Sequence, residues 1–370
     1  MVISNRLRVG LIGAAGRWGP SAHIPAIQRL PETELYAVCT AHEETARAAS
    51  QRYSVELAYD NDKDMDANSQ VEAVAVVVRV PTHYILTKNA LEAGKHVYCE
   101  WPLGANLKEA EELAALARKM KVHTMVGLQR RASPVYLRLK ELVAEGYVGQ
   151  VLAVNLMQMG GGALTRTSDR TWQRDAALGA NTLTIAFGHS IDALCMVVGE
   201  ITEVSGLVST QAPQWYETDT QRYVDVTSPD NVMITGRLGN GAVVNAYVGA
   251  HPYHGSGYKM EIYGKEGTLA LAAGGAGGTG GEQLRILGGR KDERQLQEIP
   301  VPDRLKWVPE EVQKAGPAYD VGQMWVNFAK AIRTNTKIDP DFDHAVRRHR
   351  LLDAVQKASD TGRRVSVDLG

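Results

Sequence analysis

From Arg6 to about Glu100 the chain alternates short, continuously apolar runs with longer amphipathic stretches, and this alternation restricts the fold more than any other feature. The runs RVGLIG, ELYAVCT and VEAVAVVVRV are rich in Val, Ile and Leu and lack a polar face, as strands buried on both sides must be. The spacing predicts helices between them at Ser21–Arg29, Glu43–Gln51 and Thr82–Ala93. A further unit follows, with HVYCE as strand, Leu107–Met120 as helix and VHTMVGL as strand. Strand, helix, strand in repetition builds right-handed βαβ units on a parallel sheet. Within 107–120, Leu113, Leu116 and Ala117 recur at the three- and four-residue spacing of an apolar stripe.

After Gly149 the pattern changes. VLAVNLMQMGGG alternates as a strand and Thr182–Val198 reads as a helix; then ITEVSGLVS, NVMITGRL, AVVNAYVGA, KMEIYG, GTLALAA and EQLRILG follow as consecutive strands. Tight turns such as Gly239-Asn240-Gly241 between them mark an antiparallel sheet. The expected architecture is therefore α/β, a parallel-sheet domain over 1–149 followed by an α+β domain over 150–370 with a large, mostly antiparallel sheet. Late helices are expected at Val321–Arg333 and Asp343–Thr361, and they are free to pack back on the first domain. GGAGGTGG at Gly274–Gly281 reads as a surface loop with no phosphate-binding role, because no helix follows it.

Composition removes several function classes. Forty-one Lys and Arg against 42 Asp and Glu leave a net charge of -1, so no global field gathers nucleic acid or an anionic membrane. Cys39, Cys99 and Cys195 are odd in number and widely spaced, which fits a reduced, cytoplasmic setting better than a disulfide or zinc framework. The apolar run Val9–Ile12 is too short for a signal peptide, and no run approaches the roughly 18 uninterrupted apolar residues of a membrane helix. His251, Tyr253 and His254 have no neighbouring carboxylate or cysteine to complete a metal site, so no metal is expected.

The 36 glycines are not evenly used. The cluster Gly10-Leu-Ile-Gly13-Ala-Ala-Gly16-Arg-Trp-Gly19 lies between the first predicted strand and the first predicted helix, where a dinucleotide pyrophosphate rests on backbone N–H groups at a helix N-terminus. Ala15 stands at the middle glycine of G-x-G-x-x-G, and the loop is about two residues longer than usual. Gly13, Ala15, Gly16, Arg17 and Trp18 are the expected pyrophosphate-side residues; the alternative is a tight turn with no ligand. At the end of the second strand, where an Asp or Glu on the ribose 2′-OH marks NAD, the run is Val38-Cys39-Thr40-Ala41-His42. No carboxylate there repels a 2′-phosphate. NADP is therefore expected, with Thr40 and His42 beside it and Arg17 reaching over, and NAD is the alternative.

RVPTHYILTKNALEAGKHVYCEWPLGANLKEAEEL resembles the segment of the Gfo/Idh/MocA oxidoreductases that reads approximately xxPxxxHxxxxxxALxAGKHVxxEKP, and the likeness spans essentially the whole chain from Arg6. The resemblance implies a Rossmann fold for the first domain and an open sheet that often makes the oligomer contact for the second. It places Val80, Pro81, His83, Glu100, Trp101 and Gln129 beside the cofactor. The family's active site has a Lys in E-K-P and an Asp and a His in D-x-x-x-H on the first helix of the second domain. Here Glu100-Trp101-Pro102 lacks the lysine, and Ile185 stands four residues before His189 in place of the Asp. Trp101, GLIGAAGRWG, VGLQRRASP and FGHSID together resemble most the branch that holds the yeast galactose-regulon repressor and related bacterial sugar dehydrogenases.

Oxidising an alcohol needs a hydride acceptor and a base within hydrogen-bond reach of the hydroxyl. His189 can be that base, since an imidazole titrates near neutrality, with Asp192 one turn on orienting it or capping a local network. The lysine, which places a positive charge near a developing alkoxide, can be replaced by other hydrogen-bond donors, Gln129, Arg131 or Asn181, at some cost in rate. Trp101 either stacks on a ring or packs the cleft shut. Trp172 and Asp175 stand where the family pattern expects substrate contacts, and Gly160–Gly162 either let backbone approach a substrate or form a bulge. Arg130 and Arg131 bind an acidic group or make surface salt bridges.

Two functions fit these residues. One is an NADP-dependent, alternatively NAD-dependent, oxidoreductase acting on a hydroxyl or keto group of a sugar, sugar derivative or polyol, with His189 exchanging the proton. The other is a catalytically silent NADP-binding regulator that recruits a protein partner. A sugar-like small molecule is the expected partner, with neither nucleic acid nor membrane, and a homodimer or homotetramer is expected through the free face of the antiparallel sheet.

Overall fold

The computed structural model describes residues 6–273 and 284–370, so the glycine run at 274–281 lies outside the described residues. The chain forms two compact units, Met1–Ala132 with Lys306–Val346 and Ser133–Leu305 with Arg347–Gly370. The units thus divide at Ala132/Ser133 and not at 149/150, and each takes a second stretch from the C-terminal third. The reason lies in packing: α6 (Pro134–Ala144) turns Tyr136 edge-on to Tyr258 at 6.4 Å within the second unit.

In the first unit β1 (Leu7–Ile12), β2 (Thr33–Cys39), β3 (Leu57–Tyr59), β4 (Ala73–Val76), β5 (His96–Glu100) and β6 (Thr124–Gly127) form one parallel sheet in the order β3-β2-β1-β4-β5-β6. The strand order reverses beside β1, and in such sheets the crevice outside the strands' C-terminal ends is where ligands bind. The helices are α1 (Ile24–Arg29), α2 (Glu43–Tyr53), α3 (Asp62–Ala67), α4 (His83–Glu92) and α5 (Leu107–Met120). β3 and α3 escape the sequence pattern because three and six residues are too few to show a period. The buried stripe of α5 is Ala110, Leu113, Ala114 and Ala117, with Leu116 only half-buried.

The helix Ala318–Thr334 completes this unit's core. Its Val321, Met324, Trp325 and Phe328 are fully buried with Leu7, Val9, Leu11, Ile24 and Ile27. Each such side chain contributes about 1.5–3 kcal/mol by leaving water. Trp325 also stacks on Tyr98 with ring centroids 4.9 Å apart. Gln323, buried in the same helix, donates to Ala132 O and accepts from the Trp307 and Val308 amides, stitching this late segment onto the early one.

The second unit holds β7 (Val151–Gly160), β8 (Thr165–Arg166), α7 (Gly188–Val198), β9 (Ile201–Ser209), β10 (Gln214–Glu217), β11 (Arg222–Asp225), β12 (Asn231–Leu238), β13 (Val243–Ala250), β14 (Gly257–Gly264), β15 (Gly267–Ala273), β16 (Leu284–Arg290), β17 (Gln297–Ile299) and β18 (Val365–Ser366). Nine strands make one sheet, β17-β16-β15-β14-β7-β13-β12-β9-β18, antiparallel except for the β7–β13 pair, and β11-β10-β8 make a small second sheet. The Gly239–Gly241 hairpin forms as the sequence predicts, with Gly241 at φ +87 and Leu238 N–H donating to Ala242 O. The glycines at 160–162 admit backbone, but the chain's own: a Cβ on Gly161 would come within 2.0 Å of Tyr253 O, and the Gly162 and Ala163 amides bond Pro252 O and His251 O. The HPYH loop is therefore seated on those glycines.

Helix α7 packs on the sheet, Ser190 Oγ donating to Gln158 Oε1 at 2.6 Å. The stretch Ala176–Val198 is long and apolar enough to cross a membrane by length and composition, although polar residues interrupt it, yet it is mostly buried as a core element. Asp192, in the middle of α7, is buried against Arg348, whose Nε donates to it at 3.1 Å while Nη2 donates to Glu200 at 2.8 Å. The helix Phe342–Thr361 supplies that arginine.

Candidate functional site

In the first unit the loop after β1 is built so that only glycine fits at two of its positions. Gly13 sits at φ +104, and a Cβ there would come within 2.0 Å of Val77 O; one on Gly19 would lie 2.8 Å from Gly13 O. The Gly13 and Ala14 amides turn inward to Cys39 O, and Gly16 N–H closes a turn on Gly13 O. This leaves Ala15, Gly16, Arg17 and Trp18 exposed at the tip. Gly19–His23 then forms a π-turn before α1, which takes up the loop's extra length. An exposed glycine loop running into a helix N-terminus, beside the point where the strand order reverses, fits a dinucleotide pyrophosphate.

The rim of β2 is less open. Thr40 is buried, and its hydroxyl lies against Thr45 Oγ1 at 2.7 Å and His42 O at 3.0 Å, so it anchors the start of α2. His42 is the exposed N-cap residue of that helix. Val80 is buried and Pro81 exposed in the turn leading to α4.

Several residues expected at the cofactor or substrate are engaged by their own unit. His83 is fully buried, with Nδ1 2.8 Å from Pro102 O and Nε2 3.1 Å from Val78 O, and burial lowers its pKa. It ties two loops together and has no ring nitrogen turned outward. Glu100 Oε1 accepts from His23 Nε2 at 2.8 Å, and both its oxygens accept from Gln129 Nε2 at 3.0 and 2.8 Å. His23 Nδ1 in turn accepts from Trp325 Nε1 at 3.2 Å, which fixes the ring as the Nε2–H tautomer. Arg131 Nη2 holds both Asp339 oxygens at 3.0 and 2.8 Å. Of the three groups named to replace the lysine, two are thus committed to internal bonds. Trp101 is 4% exposed, which favours its packing role.

The second unit brings a different set together. Asn181 caps a π-turn over Thr182–Phe187, its Oδ1 accepting from the Thr184 amide while Thr184 Oγ1 accepts from the Asn181 amide. That turn runs straight into α7, where His189 is half-buried at the second position. Ile185 and Ala186, one turn before His189, line a pocket of about 260 Å³ with Asn181, Arg166, Arg170, Gln173, Trp215 and Asp230. Trp172 is half-buried on the 3-10 turn Ser168–Arg174, and Asp175 caps the next turn by accepting from the Ala177 amide. Asp192 belongs to the buried pair with Arg348, so its place is structural. The pocket's arginines escape the sequence reading because they lie on β8 and the following 3-10 turn, whereas Trp215 comes from β10 some way along the chain. Arg166, Arg170 and Arg174, each four residues apart, were the one visible signal.

The three cysteines are buried, and burial pushes each thiol up to about 12, so none is a nucleophile at neutral pH. Among the described residues no three His, Cys, Asp or Glu side chains gather as a metal site.

Comparison with known proteins follows this division. Residues 7–128 match the GFO_IDH_MocA family, described as an oxidoreductase family with an NAD-binding Rossmann fold, and residues 134–273 match the C-terminal domain of Gal80p. The dehydrogenase aclE of Aspergillus oryzae is 29% identical over 376 residues, covering 97% of this chain and 98% of that protein. The galactose/lactose metabolism regulatory protein GAL80 of Saccharomyces cerevisiae is 28% identical over 288 residues, covering 72% of this chain and 66% of that protein. Among solved structures, levoglucosan dehydrogenase in complex with NADH and levoglucosan shares the fold with a TM-score of 0.85 at 21% identity, over 99% of this chain and 100% of that one.

Proposed function

The chain joins a Gfo/Idh/MocA Rossmann domain to a Gal80-like second domain, and from that premise we propose that it is an NADP-dependent oxidoreductase of a sugar, sugar derivative or polyol. The observation that carries this reading is the exposed glycine loop of the first unit together with the half-buried His189 on α7. When bound, the nicotinamide supplies hydride acceptance and donation. The exposed tip from Ala15 to Trp18 holds the pyrophosphate on its backbone and on Arg17, with Gly13 shaping the turn. Thr40 and His42 leave the 2′-position without a carboxylate, which supports NADP. His189 takes the hydroxyl proton in oxidation and returns it in reduction. With Gln129 and Arg131 engaged elsewhere, the alkoxide is stabilised from the second unit, where Asn181 lines the pocket. The levoglucosan complex of a structural relative supports a sugar-like substrate, and its NADH supports the alternative cofactor.

Nicotinamide absorbance followed with NADP and NAD against a panel of sugars and polyols tests this directly. Turnover with at least one substrate is expected; cofactor binding without turnover of any would sink it. The second reading, a silent NADP-binding regulator that recruits a protein partner, is favoured by the Gal80p match and by Trp101 and Ile185 at the positions of the family's Lys and Asp. We also propose self-association through the nine-stranded sheet, which exposes Leu152, Met157, Leu207, Met233, Val243 and Tyr263. A monomeric mass in light scattering at micromolar concentration would overturn it.

A further inference from the structure

The pocket next to the start of α7 contains two guanidinium groups that pair with no carboxylate among the described residues. Arg166 lies over the Trp215 ring, 3.9 Å from its centroid, and donates from Nη1 to Gln173 Oε1 at 2.9 Å. Its Nε is buried with no hydrogen-bond partner among the described residues. Burial and the neighbouring Arg170 lower the Arg166 pKa to about 10, so a cation is held where water compensates it poorly. Arg170 is exposed and makes no ion pair or side-chain hydrogen bond among the described residues.

Two carboxylates stand close by, and each is occupied. Glu217 is the register partner of Arg166 across β8 and β10, yet its oxygens accept from Thr171 at 2.5 Å and from Thr220 and Arg222 at 2.6 Å. Asp230, in the pocket wall, accepts from the Gln211 and Ala212 amides and from Asn231 Nδ2. A guanidinium fork clamped flat by an aromatic ring and an amide, with a second arginine beside it, matches the planar oxygens of a carboxylate or the face of a phosphate.

We propose that this pocket binds the anionic group, carboxylate or phosphate, of a sugar-derived ligand, with Arg166 as the fixed fork and Arg170 as the second arm. The sugar part rests on the oxidoreductase reading; the anion part rests on the arginines alone. At about 260 Å³ the pocket is small against the roughly 300–1,000 Å³ of drug-sized sites, which suits a single sugar ring.

Calorimetry of the full-length protein with D-glucuronate, glucose-6-phosphate and neutral D-glucose tests the inference without requiring turnover. At least one anionic sugar should bind more tightly than glucose, and Arg166→Gln and Arg170→Gln should each weaken it about 10- to 100-fold and remove its advantage over glucose. Binding of glucuronate alone identifies a carboxylate site, and binding of glucose-6-phosphate alone a phosphate site. Arg170→Gln, at an exposed position, keeps the test decisive if the Arg166 variant fails to fold. Anionic sugars bound no better than glucose, or equally well by both variants, would overturn the proposal. Arginine-dependent anion binding with no hydride transfer leaves the pocket standing and removes the oxidoreductase; oxidation of neutral sugars alone does the reverse.

Discussion

Two helices of this chain begin with a π-turn, Gly19–His23 before α1 and Thr182–Phe187 before α7, and each brings a histidine to the junction. His23 is fully buried, with its ring nitrogens on Trp325 and Glu100. His189 is half-buried, one turn beyond a pocket that holds uncompensated arginines. The same local device therefore closes a core in one unit and presents a side chain in the other. For His23 the partners come from distant segments, the helix Ala318–Thr334 and the end of β5. Residue type alone does not distinguish the two.

The largest expected effect falls on the presented histidine. His189→Ala should lower turnover by about 10²–10⁴-fold if it is the general base, with the melting temperature little changed. A regulator would instead keep its partner affinity, and an enzyme with undiminished turnover would break the comparison.

Burial as the maker of structural residues has a pH signature of opposite sign in the two units. Asp66, buried on α3, has its pKa raised to about 7 by burial and by Asp62, against the pull of Lys95. A folded-state pKa above the unfolded one gives stability that is complete at acid pH and lost as pH rises through about 7. Roughly 4 kcal/mol should disappear in this way, and Asp66→Asn should abolish the loss. His349, buried in the second unit, has its pKa lowered to about 4 by burial. Its contribution is complete above the ordinary histidine range and lost as pH falls toward about 4. His349→Gln should remove roughly 3 kcal/mol of that acid dependence. Denaturant melts across pH that show identical slopes for wild type and variants would refute both.

Smaller effects sharpen the contrast between the π-turns. His23→Leu leaves Trp325 Nε1 without its acceptor and Glu100 with one donor fewer, and should cost about 1–3 kcal/mol of stability in a thermal melt. Asn181→Ala removes the capping box of the second π-turn and should cost about 1 kcal/mol. The first π-turn has no side-chain cap at Trp18, so substitution there should not reproduce that loss.

Legibility followed length and locality. The βα alternation, the glycine loop, the Gly239–Gly241 hairpin and the helix at 107–120 were readable because period and turn chemistry are written within a few residues. β8 and β18 have two residues each and β10 and β11 four, and a strand that short declares itself only when its partner is in place. The candidate site divided in the same way. The loop at Gly13–Trp18 and the histidine on α7 were legible as motifs. The commitments of Glu100, Gln129, His83 and Arg131 were not, since their partners include Pro102, His23 and Asp339 from other elements.

The sequence by itself determined the order of the longer strands and helices, the class of the two large sheets and the glycine loop at the first turn, because these depend on hydrophobic period, turn residues and backbone sterics that act over short spans. Only the tertiary structure decided which polar groups are left to act on a ligand. Availability is a remainder after pairing: Arg131 is held by Asp339, 208 positions away in the chain, whereas the carboxylates beside Arg166 and Arg170 are taken by other donors. A hydrogen-bond donor looks the same in a sequence whether or not the fold brings it an acceptor.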